Sequence, residues 1–199
     1  MAITYPLNFP YFNNIFPIQK MTMRLNSSVA VQQSPYSYAQ QVQDFGGMRW
    51  EAEVTLRPLT HSESLKFQAF FASLNGSKGT FILGNQLFTS NDFSGDISIN
   101  GSGVSAGDVE IPITIASGHS ITNGQMFEIN NRLHMFLDSA TAGNTTVDIR
   151  PPLRANVPDN TSLQTDLPEG TWRLASNKID WDISTAGLYS FTFSCVEAL

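Results

Sequence analysis

Cysteine is nearly absent: Cys195 is the one thiol in 199 residues. That excludes an internal disulfide framework, and one thiolate alone does not make a metal site. Charge is scarce too, at 14% of residues against about a quarter in an average soluble domain. Basic side chains are the rarer sign, 11 against 17 acidic, for a formal net charge of −6. A protein that grips nucleic acid by its phosphates needs a basic stripe to displace counterions, and this composition does not supply one. No run approaches the ~20 apolar residues that span a bilayer. The opening MAITYPLNFP has neither the basic n-region nor the apolar h-region of a secretory signal. The expectation is synthesis and folding in a cytoplasm, with no membrane partner. In that setting the Asn-X-Ser/Thr triplets at Asn26, Asn75, Asn100, Asn144 and Asn160 carry no glycosylation meaning.

What is present is apolar material: 41% hydrophobic residues, with 14 phenylalanines. That is enough for a core, and the length fits one domain or two small ones. A soluble surface this poor in charge is often partly covered by partners.

Alternation with period two dominates the chain, the mark of half-buried strands. Along Arg49–Leu56 the even positions are apolar, which sends Trp50, Val54 and Leu56 toward a core. Val109, Ile111, Ile113 and Ile115 repeat the pattern, with Pro112 predicting an edge position or a bulge. Further strands are predicted at Met126–Ile129, Leu133–Leu137, Thr146–Arg150, Thr171–Leu174, Lys178–Ile183 and Tyr189–Val196. Turn dipeptides such as Asn75-Gly76, Asn100-Gly101 and Asn123-Gly124 separate the runs. Many short strands so spaced predict a sandwich or barrel. One segment differs. Phe67, Phe70, Phe71 and Leu74 fall at i, i+3, i+4 and i+7, one face of a helix. Thr60 and Glu63 fit a capping box at its start, and Gly76 supplies a left-handed stop. The prediction is a helix over Ser62–Leu74 laid across a sheet.

Composition shifts near Phe88, becoming rich in Gly, Ser, Asn and Thr until about Gly170, and returns to the earlier character from Trp172. The fold expectation is therefore mainly β: a β-sandwich domain of residues 1–87 plus 171–199 with one packed helix, carrying an inserted small β-barrel-like domain at 88–170.

Reactive constellations are weak. His61, His119 and His134 are scattered without ligand spacing. His134, between Leu133 and Met135, reads as a strand histidine facing away from those two, solvated or hydrogen-bonded. His61 reads as a surface residue at a helix start, where the dipole disfavours its protonation. Cys195, in Phe191–Val196, has no electropositive neighbour to activate it and reads as buried structure. Gly101–Gly107 lacks the spacing, the lysine and the following helix of a phosphate loop and reads as a turn. Asp180 with Asp182, or Asp92 with Asp96, are available carboxylate pairs, but glycoside hydrolysis needs two carboxyls facing each other across roughly 5–9 Å. Asp180 and Asp182 instead flank Trp181 on one strand face. Trp50, Trp172 and Trp181 all sit at periodic positions that read as core, which leaves little for sugar stacking. No catalytic, cofactor-binding or metal-ligating residue is assigned, and no cofactor. The expectation is a protein that is not an enzyme.

Ordered landmarks across nearly the whole chain carry a resemblance. They begin with Val31-Gln32-Gln33-Ser34-Pro35-Tyr36, Gln40-Gln41-Val42 and Met48-Arg49-Trp50-Glu51-Ala52. Phe67–Gly76 follows, running on to Gly79-Thr80-Phe81-Ile82-Leu83-Gly84. The middle carries Gly124-Gln125-Met126-Phe127-Glu128-Ile129, Arg132-Leu133-His134 and Ile149-Arg150-Pro151-Pro152-Leu153-Arg154. The end has Trp172-Arg173-Leu174-Ala175-Ser176 and Val196-Glu197-Ala198-Leu199. In these the chain resembles the distal-tail or minor-tail proteins of long-tailed bacteriophages. It departs where such proteins typically show Gly-Asp, here Gly124-Gln125, and a Gly-Asp-Pro-like turn, here Gly84-Asn85-Gln86.

The resemblance implies a β-sandwich that assembles as a ring, commonly a hexamer, at the end of the tail tube. It also implies partners in the tail tube protein and in the hub or baseplate that carries receptor-binding parts, and a location in the virion tail tip after assembly in the host bacterial cytoplasm. Some members carry an inserted barrel-like domain. A closed ring hides two different lateral patches on each subunit, which matches the low charge, and an acidic lumen suits transient passage of DNA. Three alternatives stand beside this reading. A tail tube or tube-completion protein would use Gln33–Gln43 as a stacking loop or hairpin. A carbohydrate- or receptor-binding tail module would use 88–170 as its reader. A tail-associated glycosidase ranks last.

Overall fold

The computed structural model describes residues 3–12, 16–84 and 96–199. The chain is mainly β with one α-helix. In order, the elements are β1 (Leu7–Asn8), β2 (Ile18–Gln33), β3 (Gln40–Leu56), α1 (His61–Leu74), a 3₁₀ turn at Gly76–Lys78, β4 (Thr80–Gly84), β5 (Ile97–Ile99), β6 (Glu110–Ile121), β7 (Met126–Ile129), β8 (Arg132–Phe136), β9 (Ala140–Arg150), β10 (Glu169–Leu174), β11 (Trp181–Ile183) and β12 (Tyr189–Glu197).

The first sheet runs β1-β4-β10-β12-β3-β2, with β11 added on β12. Its inner face is built by alternation: Trp50, Ala52, Val54 and Leu56 from β3, Phe81 and Leu83 from β4, Trp172 and Leu174 from β10, and Phe191, Phe193 and Cys195 from β12 are all buried. Helix α1 lies on that face through Phe67, Phe70, Phe71 and Leu74. The rings meet edge-on, Phe71 against Phe193 at 5.1 Å and Phe70 against Phe81 at 5.6 Å, the favoured arrangement for aromatic quadrupoles. Phe9 sits among them, 5.4 Å from Phe67 and 5.5 Å from Phe70.

The helix starts one residue before the predicted Ser62 because Thr60 is its N-cap. The Thr60 N–H donates to Glu63 Oε2 at 2.9 Å, and Arg57 Nη2 clamps Glu63 Oε1 at 2.6 Å. At the other end Asn75 itself takes the left-handed conformation (φ 52°), and Gly76 follows with φ 67°. The chain then passes so close beneath the helix that a Cβ on Gly79 would lie 2.6 Å from both the Leu74 carbonyl and the Tyr5 ring.

The chain leaves the first sheet at Gly84 and re-enters at Glu169, directly opposite it in register. The predicted composition boundary at Phe88 lies outside the described residues. Between those points a second sheet runs β5-β6-β9-β8-β7. Segment 160–164 joins its two edges. Ile99 N–H donates to Thr161 O and Leu163 N–H to Ile97 O on the β5 side, while Glu128 and Gln164 exchange backbone bonds on the β7 side. The sheet is thereby closed into a small barrel around Ile97, Ile99, Ile111, Ile113, Phe127, Phe136, Val147 and Ile149. Closure removes the open edges that a five-stranded sheet otherwise presents.

Several sequence expectations are corrected. Strand β6 is interior, paired with both β5 and β9, although Pro112 predicts an edge or bulge. The Pro112 carbonyl accepts from Asn100 N–H, so its nitrogen also points to the β5 side, just beyond Ile99 where β5 ends. The missing N–H therefore removes only the return bond to the Asn100 carbonyl, one residue past the end of β5. Val109 and Leu137 fall just outside their strands and are exposed. Trp181 is not core. It is 44% exposed because β11 is a three-residue strand held only by the outer end of β12, beyond the reach of α1. Strand β2, the distal half of β3, β4 and β5 were not predicted from periodicity.

Candidate functional site

The described structure places most sequence-predicted reactive residues in structural roles. His61 is a surface residue at the helix start whose Nδ1 lies 3.0 Å from the Tyr189 hydroxyl. His119 Nε2 lies 3.5 Å from Asp96 Oδ2, and Asp92 lies outside the described residues. Cys195 is 1% exposed, and burial pushes its thiol far above the ordinary range. Asp180 and Asp182 are exposed beside Trp181. Gly101–Gly107 is a turn region closed by a bridge from Val104 to Val157. Among the described residues no group of three His, Cys, Asp or Glu side chains is placed to hold a metal, and no helix is long and apolar enough to cross a membrane.

His134 departs from the solvated half of its expectation. It is completely buried, stacked on Phe127 at 5.4 Å, with Nδ1 2.8 Å from the Pro151 carbonyl. Both faces of β8 are covered, because Leu133 on the opposite face belongs to the first core.

Two groupings were not anticipated. Glu128 and Glu169 meet where the barrel joins the first sheet, with the Glu169 N–H donating to Glu128 Oε2 at 2.9 Å. Burial raises the Glu128 carboxyl above its ordinary value, and burial with repulsion from Glu128 raises Glu169. The signal was a lone carboxylate in the apolar run Met126–Ile129. Arg154 and Glu197 form the second grouping, a half-buried ion pair across the same junction.

The most distinctive surface lies on β2 and β3. They pair from Ile18 opposite Leu56 out to Gln33 opposite Gln40. Strand β12 covers β3 only over Glu51–Thr55. Beyond that point the two strands continue as a ribbon with no third strand beside them among the described residues, roughly 25–30 Å long at about 3.3 Å per residue. Its tip is a turn over Ser34–Ala39, in which Tyr38 N–H donates to Ser34 O at 3.0 Å and Tyr38 takes φ 56°. Midway the register slips between Ser27 and Val29. There Gly46 supplies φ 69° and its N–H donates to Asp44 Oδ1 at 2.8 Å. Beyond the slip Val31 stands opposite Val42 and Val29 opposite Asp44, so one face carries these three valines together with Asp44. Gln32 opposite Gln41 and Ala30 opposite Gln43 occupy the other.

This ribbon is exposed on both faces: Val31 58%, Val42 61%, Phe45 65% and Tyr36 96%. From Leu25 to Met48 the single charged side chain is Asp44. A lone two-stranded hairpin is marginal in water, and natural monomers guard open strand edges with charge, proline or bulges. Here the far half carries valines, tyrosines and glutamines along open edges. Such a ribbon can add strands to, or lie against, another protein surface.

No family model matches the chain, and no curated protein is significantly similar to it.

Proposed function

We propose that this chain is a non-enzymatic structural ring component of a long-tailed bacteriophage tail tip, which joins the tail tube to the hub and its receptor-binding parts. The observation that carries the reading is the outer part of the β2–β3 ribbon, where Asp44 is the single charge and where open edges and the exposed valines Val29, Val31 and Val42 call for a protein partner. Head-to-tail contacts between copies, closing by rotation into a ring such as a hexamer, would cover it. The ordered sequence landmarks supply the tail-tip context, and the virion is the location that goes with it. The net charge of −6 suits a lumen through which DNA slides without sticking, and a basic inner wall in the assembled ring would remove that part of the reading.

The same ribbon favours a second reading, a tail tube or tube-completion protein, since Gln33–Gln43 is the tip of a projecting hairpin suited to reaching an adjacent ring. A sugar-reading insert is less well supported. Among the described residues of the insert the aromatic side chains Phe127 and Phe136 are both buried, while Phe88 and Phe93 lie outside the described residues.

The test is the mass of the purified full chain by light scattering, followed by negative-stain imaging alone and with tube and hub proteins. Closed single rings support the tail-tip reading, and long stacked tubes move it to the tube protein. A chain that stays monomeric with both partners present overturns the assembly reading.

A further inference from the structure

Three Asn-Gly dipeptides lie just past the ends of α1, β5 and β6: Asn75-Gly76, Asn100-Gly101 and Asn123-Gly124. Each sets a side-chain amide before a backbone nitrogen that no Cβ shields. Whether that nitrogen can reach the amide carbon depends on what holds the peptide between them. The fold treats the three differently.

At Asn123-Gly124 the peptide is pinned. The Gly124 N–H donates to the Phe136 carbonyl at 2.8 Å, and the Asn123 N–H donates to Ser139 Oγ at 2.9 Å. The same hydroxyl donates to Asn123 Oδ1 at 3.4 Å. At Asn75-Gly76 the geometry is wrong. Asn75 is left-handed with ψ 55°, which turns the Gly76 nitrogen away from the Asn75 Cβ across the Cα–C bond. Asn177 packs against that turn: its Oδ1 accepts from the Ser77 N–H at 3.0 Å and would lie 2.7 Å from a Cβ on Gly76.

At Asn100-Gly101 nothing holds the peptide. The Asn100 N–H donates to the Pro112 carbonyl at 3.0 Å. The return donor of an antiparallel pair is missing, because proline has no N–H. Among the described residues the Asn100 carbonyl accepts no hydrogen bond and the Gly101 N–H donates none. Gly101 is exposed with φ 95°, and no atom lies within 4 Å of where its Cβ would stand. The peptide plane can therefore turn while Asn100 stays anchored by its own N–H.

We propose that Asn100 is a site of spontaneous modification, converted to isoaspartate and aspartate through a succinimide formed with Gly101. The Gly101 nitrogen gives its proton to water or hydroxide and bonds to Asn100 Cγ. The Cγ–Nδ2 bond breaks, and ammonia leaves after taking a proton from solvent. Water then opens the ring at either carbonyl, leaving a main chain longer by one methylene or an ordinary aspartate. Nothing is oxidised or reduced: water enters and ammonia departs. Either product puts a carboxylate beside Ile99, whose N–H and carbonyl bind Thr161 and Asn160 where the barrel closes. The site belongs to a single subunit and does not depend on ring assembly.

The test incubates the purified full chain at mildly alkaline pH, with and without denaturant, and locates isoaspartate and aspartate by peptide mapping. In denaturant the three sites are expected to react at similar rates. In the folded chain Asn100 is expected to keep reacting, while Asn75 and Asn123 slow at least about tenfold, equivalent to about 1.4 kcal/mol of barrier. Pro112→Val supplies the missing N–H opposite Asn100 and is expected to slow that site about fivefold, leaving the other two unchanged. A folded natural chain in which Asn75 or Asn123 matches Asn100, or in which Asn100 is as protected as they are, overturns the proposal. An unchanged Asn100 rate in folded Pro112→Val overturns it as well. If that variant does not fold, the comparison of the three sites in the natural chain decides alone.

Discussion

Arg154 and Glu197 tie the barrel to the first sheet. The guanidinium donates from Nε to Glu197 Oε1 at 3.0 Å and from Nη2 to Oε2 at 2.8 Å. The same carboxylate accepts from the Trp50 N–H at 3.2 Å, while Arg154 Nη2 also reaches the Met48 carbonyl. One side chain after β9 is thus bound to the last residue of β12 and to the middle of β3. The Trp50 indole completes the joint by donating to the Leu133 carbonyl at 3.0 Å.

Because the Glu197 side chain is only 4% exposed, removing its partner strands a buried carboxylate. R154A is expected to destabilise the chain by about 3–5 kcal/mol. The double variant R154L/E197L, which removes both charges and refills the space, is expected to lose less than R154A alone. Denaturant unfolding of the two variants checks this, and a double variant as unstable as the single one would show that the pair contributes mainly through its packing.

The two tryptophans near the C-terminus are expected to behave oppositely. Trp172 is 1% exposed and its Nε1–H donates to the Leu83 carbonyl at 3.0 Å. W172A is therefore expected to cost about 3–5 kcal/mol, the range for large core truncations. Trp181 caps one side of Phe191 at 6.1 Å with its other side in solvent. W181A is expected to cost about 1 kcal/mol or less. Equal losses in thermal unfolding would mean that β11 is packed more tightly than its exposure implies.

That contrast also marks where the sequence is legible. The difference arises because Trp50, Trp172 and Trp181 are alike in local alternation, yet a strand buries a face only where another layer covers it, and those layers are set by distant chain. The helix was readable because Phe67, Phe70, Phe71 and Leu74 are periodic and Thr60 with Glu63 mark its start. A small barrel was expected from the composition shift, but the segment that closes it was not readable, because Thr161–Gln164 makes its bonds to Ile97, Ile99 and Glu128 mainly through backbone, which leaves no side-chain pattern. The outer half of β2–β3 was invisible to periodicity for a related reason: with neither face buried there, alternation has nothing to report. The full burial of His134 was not readable either, because it requires both faces of β8 to be covered.

Glu63 sets an acid-side stability step. Its hydrogen bonds from Arg57, then from the Thr60 N–H, hold its carboxyl down to about 2, below the ordinary glutamate value. A depressed folded value means that the unfolded chain binds the proton more readily, so the contribution is complete above the ordinary glutamate range and is lost as pH falls toward about 2. The pair is partly solvent-screened, which limits the contribution to about 1 kcal/mol. E63Q is expected to lose that amount at neutral pH and to flatten the decline of melting temperature across that acid window. A parallel decline in both proteins would assign the window to other carboxylates.

Cys195 offers a reporter of global unfolding. Its thiol is buried between β3 and β10 in register with Ala52 and Leu174, and burial raises it far above the range in which thiolate forms. Labelling by an aromatic disulfide is expected to be negligible in the folded protein and complete in denaturant, since the thiolate is the reacting species. Labelling at a rate independent of denaturant would place the thiol near a local opening of β12.

The ribbon permits the sharpest separation of fold from assembly. Val31 and Val42 stand opposite each other on a part of β2–β3 that pairs with no third strand among the described residues, and both are exposed. V31E/V42E places two carboxylates side by side on that face, adding like-charge repulsion of roughly 0.2–1 kcal/mol within the hairpin. The core beneath α1 is untouched, so the melting temperature of the subunit is expected to change little. Each neighbouring copy in a ring would instead have to bury those carboxylates without partners, several kcal/mol per contact. Light scattering is therefore expected to show the natural chain assembling and the variant remaining a folded monomer. A variant that assembles as well as the natural chain would remove the ribbon from the interface and with it the observation on which the ring reading rests.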